Sequence, residues 1–179
     1  MTGLRARLWL RGAFRPAWMR WERGRIVEVG EGNPTKRNAA GLLDLGDARV
    51  APGFVDTLFH GFLGIDCCEG DSEQLEILAA GAAAAGVTSF LAGTYPMALP
   101  EFRRAARAWD GRRKTGGARV DGWHVEGVFL APEYRGQLPE QGILAPSVAA
   151  AERFVAACGG WLKLATFAPE LPGALEAAE

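Results

Sequence analysis

The chain has 179 residues, and 49% of them are hydrophobic, which provides enough apolar side chain for a packed core and argues against disorder. Lys and Arg total 20 against 21 Asp and Glu, for a formal net charge of −1, so no general electrostatic force draws the chain to nucleic acid or to an anionic membrane surface. Small-molecule chemistry is the default that remains, with no nucleic acid and no membrane among the expected partners.

Residues 1–50 predict short strands. Leu4, Ala6, Leu8 and Leu10 alternate with Arg5, Arg7, Trp9 and Arg11, the period of a half-exposed strand, and Arg25 to Val29 form a second such run between glycines. Arg5, Arg7, Arg11 and Arg15 break up any apolar block of signal-peptide or membrane-spanning length, which predicts an unexported, cytoplasmic protein. Gly32-Asn33-Pro34 opens a loop.

From Val50 onward strands alternate with helices. The pattern predicts a strand from Val50 to His60 and a helix from Ser72 to Ala85, capped near Asp71 and stopped by Gly86. Next come a strand from Val87 to Ala92, a helix from Pro100 to Trp109 and a strand from Val120 to Leu130. A helix from Pro146 to Ala157 ends at Gly159-Gly160 and precedes a strand from Trp161 to Phe167. About four β/α units in succession predict an α/β fold over 51–179, with parallel strands and helices packed outside them.

Cys67, Cys68 and Cys158 make an odd set with neither a Cys-x-x-Cys pair nor a Cys/His quartet of zinc spacing, which fits a reducing compartment. The adjacent Cys67-Cys68 reads either as a soft metal or redox site or as two small hydrophobic fillers, and the filler reading is the expected one.

The chemistry-bearing residues cluster at two places. In Trp123-His124-Val125-Glu126-Gly127-Val128-Phe129 an imidazole and a carboxylate stand two residues apart, and strand alternation puts both on one face. The earlier run Pro52-Gly53-Phe54-Val55-Asp56-Thr57-Leu58-Phe59-His60-Gly61 also ends in a polar residue followed by glycine, a residue that allows a sharp turn at little steric cost.

Pro-Gly-Phe-Val-Asp at 52–56, His60-Gly61, Gly86-Val87-Thr88-Ser89-Phe90, His124-x-Glu126-Gly127 and then Leu164-Ala165-Thr166-Phe167-Ala168-Pro169-Glu170 resemble the metal-dependent amidohydrolases. Within them the succession is most similar to the N-acetylglucosamine-6-phosphate deacetylases. The resemblance implies the first half of a TIM-type (β/α)8 barrel, preceded over 1–50 by a small, partial β-sandwich segment. It places the site at the C-terminal ends of the barrel strands.

The implied reaction is hydrolysis of the acetamide of N-acetylglucosamine 6-phosphate, or of a related acetamido sugar phosphate, to acetate and the free amine. A divalent metal, Zn²⁺ or similar, polarises the carbonyl and brings the pKa of a bound water to roughly 7. By the same resemblance Glu126 is a direct metal ligand and His60 a further candidate. His124, as an imidazole orienting Glu126, and Asp56, bracing the first strand end through backbone hydrogen bonds, support them. Gly127, Gln137 and Arg135 are candidate substrate contacts, with a phosphate as the partner for the Arg135 guanidinium.

The family's other ligands, two histidines on the fifth and sixth strands, and its proton-shuttling aspartate on the eighth have no counterpart up to Glu179. No catalytic acid or base is therefore expected within the chain, and one copy does not complete a metal site. Leu58 replaces the first histidine of a common His-x-His, Val128 the proline of Glu-Gly-Pro-Phe, and Leu138 a polar residue after Gly136-Gln137. Two alternatives stay open: Glu126 as a buried carboxylate paired with Lys163, and a non-catalytic scaffold acting by self-association. Either a second copy or a missing C-terminal half is expected to cover the open strand edges.

Overall fold

The computed structural model describes residues 2–110 and 116–179. The chain divides into two units, 1–52 and 53–179.

The first unit is a four-stranded sheet. β1 (Thr2–Leu10), β2 (Ala13–Glu22) and β3 (Arg25–Glu31) form antiparallel hairpins, and after the short helix α1 (Lys36–Ala39) β4 (Leu42–Val50) returns parallel to β1, giving the order β3-β2-β1-β4. Both hairpin turns are Arg-Gly, and Arg11, Gly12, Arg23 and Gly24 all have positive φ, as tight two-residue turns that match strand twist require. Leu4, Ala6, Leu8 and Ala17 make a small buried cluster. Val50, expected to open the second unit, instead closes the first sheet by pairing with Leu8. The segments 13–22 and 42–50 carry no clean alternation, and they become strands by pairing with their neighbours.

The second unit is built of β5 (Phe54–Phe59), a small hairpin of β6 (Gly61–Phe62) and β7 (Ile65–Asp66), α2 (Ser72–Ala84) and β8 (Val87–Thr94). It continues with α3 (Leu99–Trp109), β9 (Arg119–Glu126), a 3-10 turn at Pro132–Tyr134, α4 (Val148–Ala157), β10 (Leu162–Thr166) and α5 (Ala174–Ala178). The four long strands are parallel in the order β10-β9-β8-β5, so each lies beside its predecessor in sequence. α2 starts at a reciprocal cap in which the Asp71 carboxylate accepts from the Gln74 N–H and the Gln74 side chain accepts from the Asp71 N–H. α4 starts at Val148 rather than Pro146, because Ser147 is extended and its hydroxyl accepts from the Ala150 N–H.

The helices cover one face of the sheet. Phe90, Val120, Trp123 and Val125 pack there against buried side chains that include Phe102 and Phe154. Gly122, at φ +149, carries a register shift that gives β9 one extra residue, so Val120 and Trp123 face the same side although three positions apart. A Cβ on Gly122 would lie 2.6 Å from the Trp161 carbonyl oxygen, which holds the position to glycine. Beyond this bulge alternation resumes, so Trp123 and Val125 point to the helices and His124 and Glu126 away from them.

β9 ends at Glu126 rather than at Leu130, because Gly127 takes φ +78 and breaks the extended path. β5 and β10 are the edges of this sheet. Phe54 and Val55 on β5 are 71% and 66% exposed, which leaves that edge uncovered in the unit as described. Among the described residues no helix is long and apolar enough to cross a membrane.

Candidate functional site

Glu126 is the last residue of β9, and His60 follows the end of β5. The His60 Nε2 lies 3.2 Å from Glu126 Oε2, with the two side chains 43% and 35% exposed. Strand β8 runs between them, so the imidazole crosses a whole strand to reach the carboxylate. It crosses at Gly93, where a Cβ would meet His60 Nδ1 at 3.0 Å and Cε1 at 3.1 Å.

His124 bonds away from Glu126 through both ring nitrogens. Its Nδ1 lies 2.8 Å from the Thr57 carbonyl oxygen on β5, and its Nε2 lies 2.9 Å from Thr166 Oγ1 on β10. A neutral imidazole protonated on Nδ1 satisfies both contacts, donating to the carbonyl and accepting from the hydroxyl. Both ring nitrogens are thus used in tying strands together, and the carboxylate two residues on takes its partner from β5.

That partner also overturns the pairing of Glu126 with Lys163. The Lys163 side chain lies over Gly122, where a Cβ would strike its Cγ, and its charge adds a minor part to the lowering of the Asp121 carboxyl, which a hydrogen bond from Arg119 chiefly holds below its usual range. Lys163 lies between Leu162 and Leu164, which pair with Trp123 and His124, so it stands against the middle of β9 rather than at the end that carries Glu126.

Asp56 accepts from the Leu58 N–H at 3.0 Å, bracing the end of β5. Gly127 turns the chain where a Cβ would strike the Leu130 side chain at 2.4 Å. Val128, in the place of a proline, is buried in the core, and its carbonyl accepts from the Leu144 N–H at 2.7 Å. Arg135 is held within its own loop: its Nη1 donates to the Leu138 carbonyl and its Nη2 lies 4.0 Å from Glu140. Gln137 is exposed on the same loop.

The three cysteines are buried and unbridged. Burial pushes all three thiols up, Cys158 to about 12. The Cys67 Sγ lies 3.0 Å from the Phe59 carbonyl. They behave as small core residues, as the filler reading expects.

An imidazole and a carboxylate are donors that suit a divalent transition metal, but they are two, and a hydrolytic site takes about three protein ligands with a position left open. Among the described residues no group of three or more His, Cys, Asp or Glu side chains stands close enough to hold a cation. Among the described residues His60 and Glu126 thus offer two of the ligands such a site takes.

No protein-family model matches the chain. Over 152 residues it is 29% identical to N-acetylglucosamine-6-phosphate deacetylase of Bacillus subtilis (strain 168), a match covering 82% of this chain and 38% of that protein. Against the same enzyme of Lysinibacillus sphaericus it is 32% identical over 132 residues, 73% of this chain and 34% of the other. The crystal structure of N-acetyl-D-glucosamine-6-phosphate deacetylase from Mycobacterium smegmatis matches with a TM-score of 0.83 at 29% identity, over 99% of this chain and 46% of that one.

The chain is similar to N-acetylglucosamine-6-phosphate deacetylases.

It spans about two fifths of the length of the relatives it matches. A variant of the M. smegmatis deacetylase, solved in complex with N-acetyl-D-glucosamine-6-phosphate, matches with a TM-score of 0.82 over 98% of this chain. Three residues around these strand ends escaped sequence reasoning: Thr57 and Thr166, which hold His124, and Gly93, which His60 crosses. Thr57 acts through its carbonyl, which no side-chain pattern reveals. Gly93 lay just past the expected strand end at Ala92; only because β8 runs on to Thr94 does it become a strand glycine, a position that marks a close approach.

Proposed function

We propose that this chain carries the first part of a metal-dependent deacetylase that hydrolyses the acetamide of an amino-sugar phosphate, with N-acetylglucosamine 6-phosphate the first candidate substrate. Water adds across the amide, giving acetate and glucosamine 6-phosphate. The four β/α units read as the first half of a TIM-type barrel, and the sheet over 2–50 as part of a β-sandwich segment. What supports this most is the position of Glu126, a carboxylate at a strand end next to a turn-forming glycine and in reach of a histidine from another strand.

In this reading Glu126 provides the carboxylate of a divalent cation site and His60 a neighbouring imidazole. The further ligands and the group that moves the proton come from another segment, so no step of the hydrolysis is assigned to these residues alone. His124 holds the strands that carry the rim. Arg135 is a weak candidate for the substrate phosphate, because its guanidinium is engaged by the Leu138 carbonyl.

Acetate release tests the proposal. The assay compares the 179-residue chain with the polypeptide its reading frame encodes, including any residues after codon 179, each supplied with Zn²⁺ and N-acetylglucosamine 6-phosphate. Acetate from the complete polypeptide, abolished by Glu126→Ala without loss of the circular dichroism spectrum, is the expected result. A folded complete polypeptide that releases no acetate from the 6-phosphates of N-acetylglucosamine or N-acetylgalactosamine overturns it.

A further inference from the structure

We propose that Gly93 is a positioning residue: the side chain it lacks is the space through which His60 crosses β8 to reach Glu126. The inference deepens the deacetylase reading and takes its functional meaning from it, while the geometry stands by itself. In the order β9-β8-β5, a side chain from the β5 end reaches the β9 end only by passing over β8. At the crossing point a Cβ on residue 93 would sit 3.0 Å from His60 Nδ1, 3.1 Å from His60 Cε1 and 3.1 Å from Leu58 Cδ1. Such separations are shorter than ordinary contact, so the ring would have to retreat.

Nothing in the backbone asks for glycine here. Gly93 is not among the glycines with positive φ, and it lies within β8 in register with His124. An interior strand glycine weakens the strand through its conformational freedom, so alanine is compatible with the local conformation and favours it. The glycine therefore serves the ring above it rather than the strand. His60 Nε2 and Glu126 Oε2 stand 3.2 Å apart as an ion-pair contact, and a retreat of the ring lengthens it.

The test uses Gly93→Ala and Gly93→Ser, read by long-range proton–nitrogen correlation spectra of the imidazoles. The chain has 2 histidines, so His60→Asn assigns both rings. Expected is a shift of the His60 signals toward their positions in Glu126→Gln, with the His124 signals in place and a thermal midpoint within ~2 °C of the parent or above it. Unmoved His60 signals in both variants overturn the proposal. So does a lowered midpoint with both rings displaced, which is a general disturbance of the sheet. Acetate release by the complete polypeptide separates the two readings. A displaced His60 with undiminished acetate release leaves Gly93 as the spacer of that contact and removes the contact from the chemistry, whereas a displaced His60 with lost acetate release ties the two together.

Discussion

The imidazole of His124 lies 2.8 Å from the Thr57 carbonyl oxygen, although their strands are not neighbours in the sheet. With its other nitrogen on Thr166, the ring links β9 to both edge strands. His124→Ala leaves a carbonyl and a hydroxyl without these partners, at a cost of about 1–3 kcal/mol. Urea unfolding measures it, and a loss below ~0.5 kcal/mol would mean that water replaces the ring without penalty.

Glu126 and His60 behave differently because both are partly exposed. Glu126→Gln and His60→Gln each change stability by no more than about 1 kcal/mol, the range of a solvent-exposed pair. Under the proposed deacetylase reading their effect is expected to fall on zinc retention by the complete polypeptide, measured by equilibrium dialysis, and to be largest for Glu126→Gln. Unchanged retention in Glu126→Gln would remove this carboxylate from the metal site.

Thiol reactivity follows burial. With Cys67 and Cys68 pushed well above the usual thiol range and Cys158 up to about 12, thiolate is scarce at pH 8. Ellman's reagent is expected to leave all three unmodified in the native protein and to titrate three thiols in urea. Rapid labelling of Cys67 or Cys68 before unfolding contradicts the packing described.

Acid sensitivity comes from carboxylates with depressed values. Arg119 holds Asp121 below its ordinary 3.8, and Arg5 does the same for Asp44. Each therefore stabilises the fold fully above the ordinary value, and the contribution disappears as pH falls through the lower folded-state value. Both pairs are exposed, so the effect is modest and weakens with salt. Thermal midpoints taken from pH 7 to pH 2 should fall less steeply below about pH 4 in Asp121→Asn than in the parent.

The alternation of strands and helices over 53–179 was legible, because hydrophobic runs, caps and glycine stops act locally: Asp71, Ser147 and Gly86 mark ends that pattern alone locates within a residue or two. Glu126 and His60 were legible as strand-end polar residues. The partner of each ring was not. Whether His124 meets Glu126 or Thr57 depends on how far the β5 end lies from β9, a distance set by β8, by the bulge at Gly122 and by the turn at Gly127. Strands β2 and β4 fall within the short strands expected over 1–50, but their ends were not located, since pairing with neighbours rather than their own alternation decides them.

The cluster of Leu4, Ala6, Leu8 and Ala17 is modest beside the aromatic interior of the second unit. Two of its four fully buried members are alanines, and Leu10, Met19, Trp21, Leu45 and Val50 around it are only partly buried, so less apolar surface opposes local opening than in the second unit. In native-state deuterium labelling, amides of β1 and β2 should exchange well ahead of those of β8 and β9, which makes the amino-terminal sheet the first casualty of warming and the natural entry point for a protease.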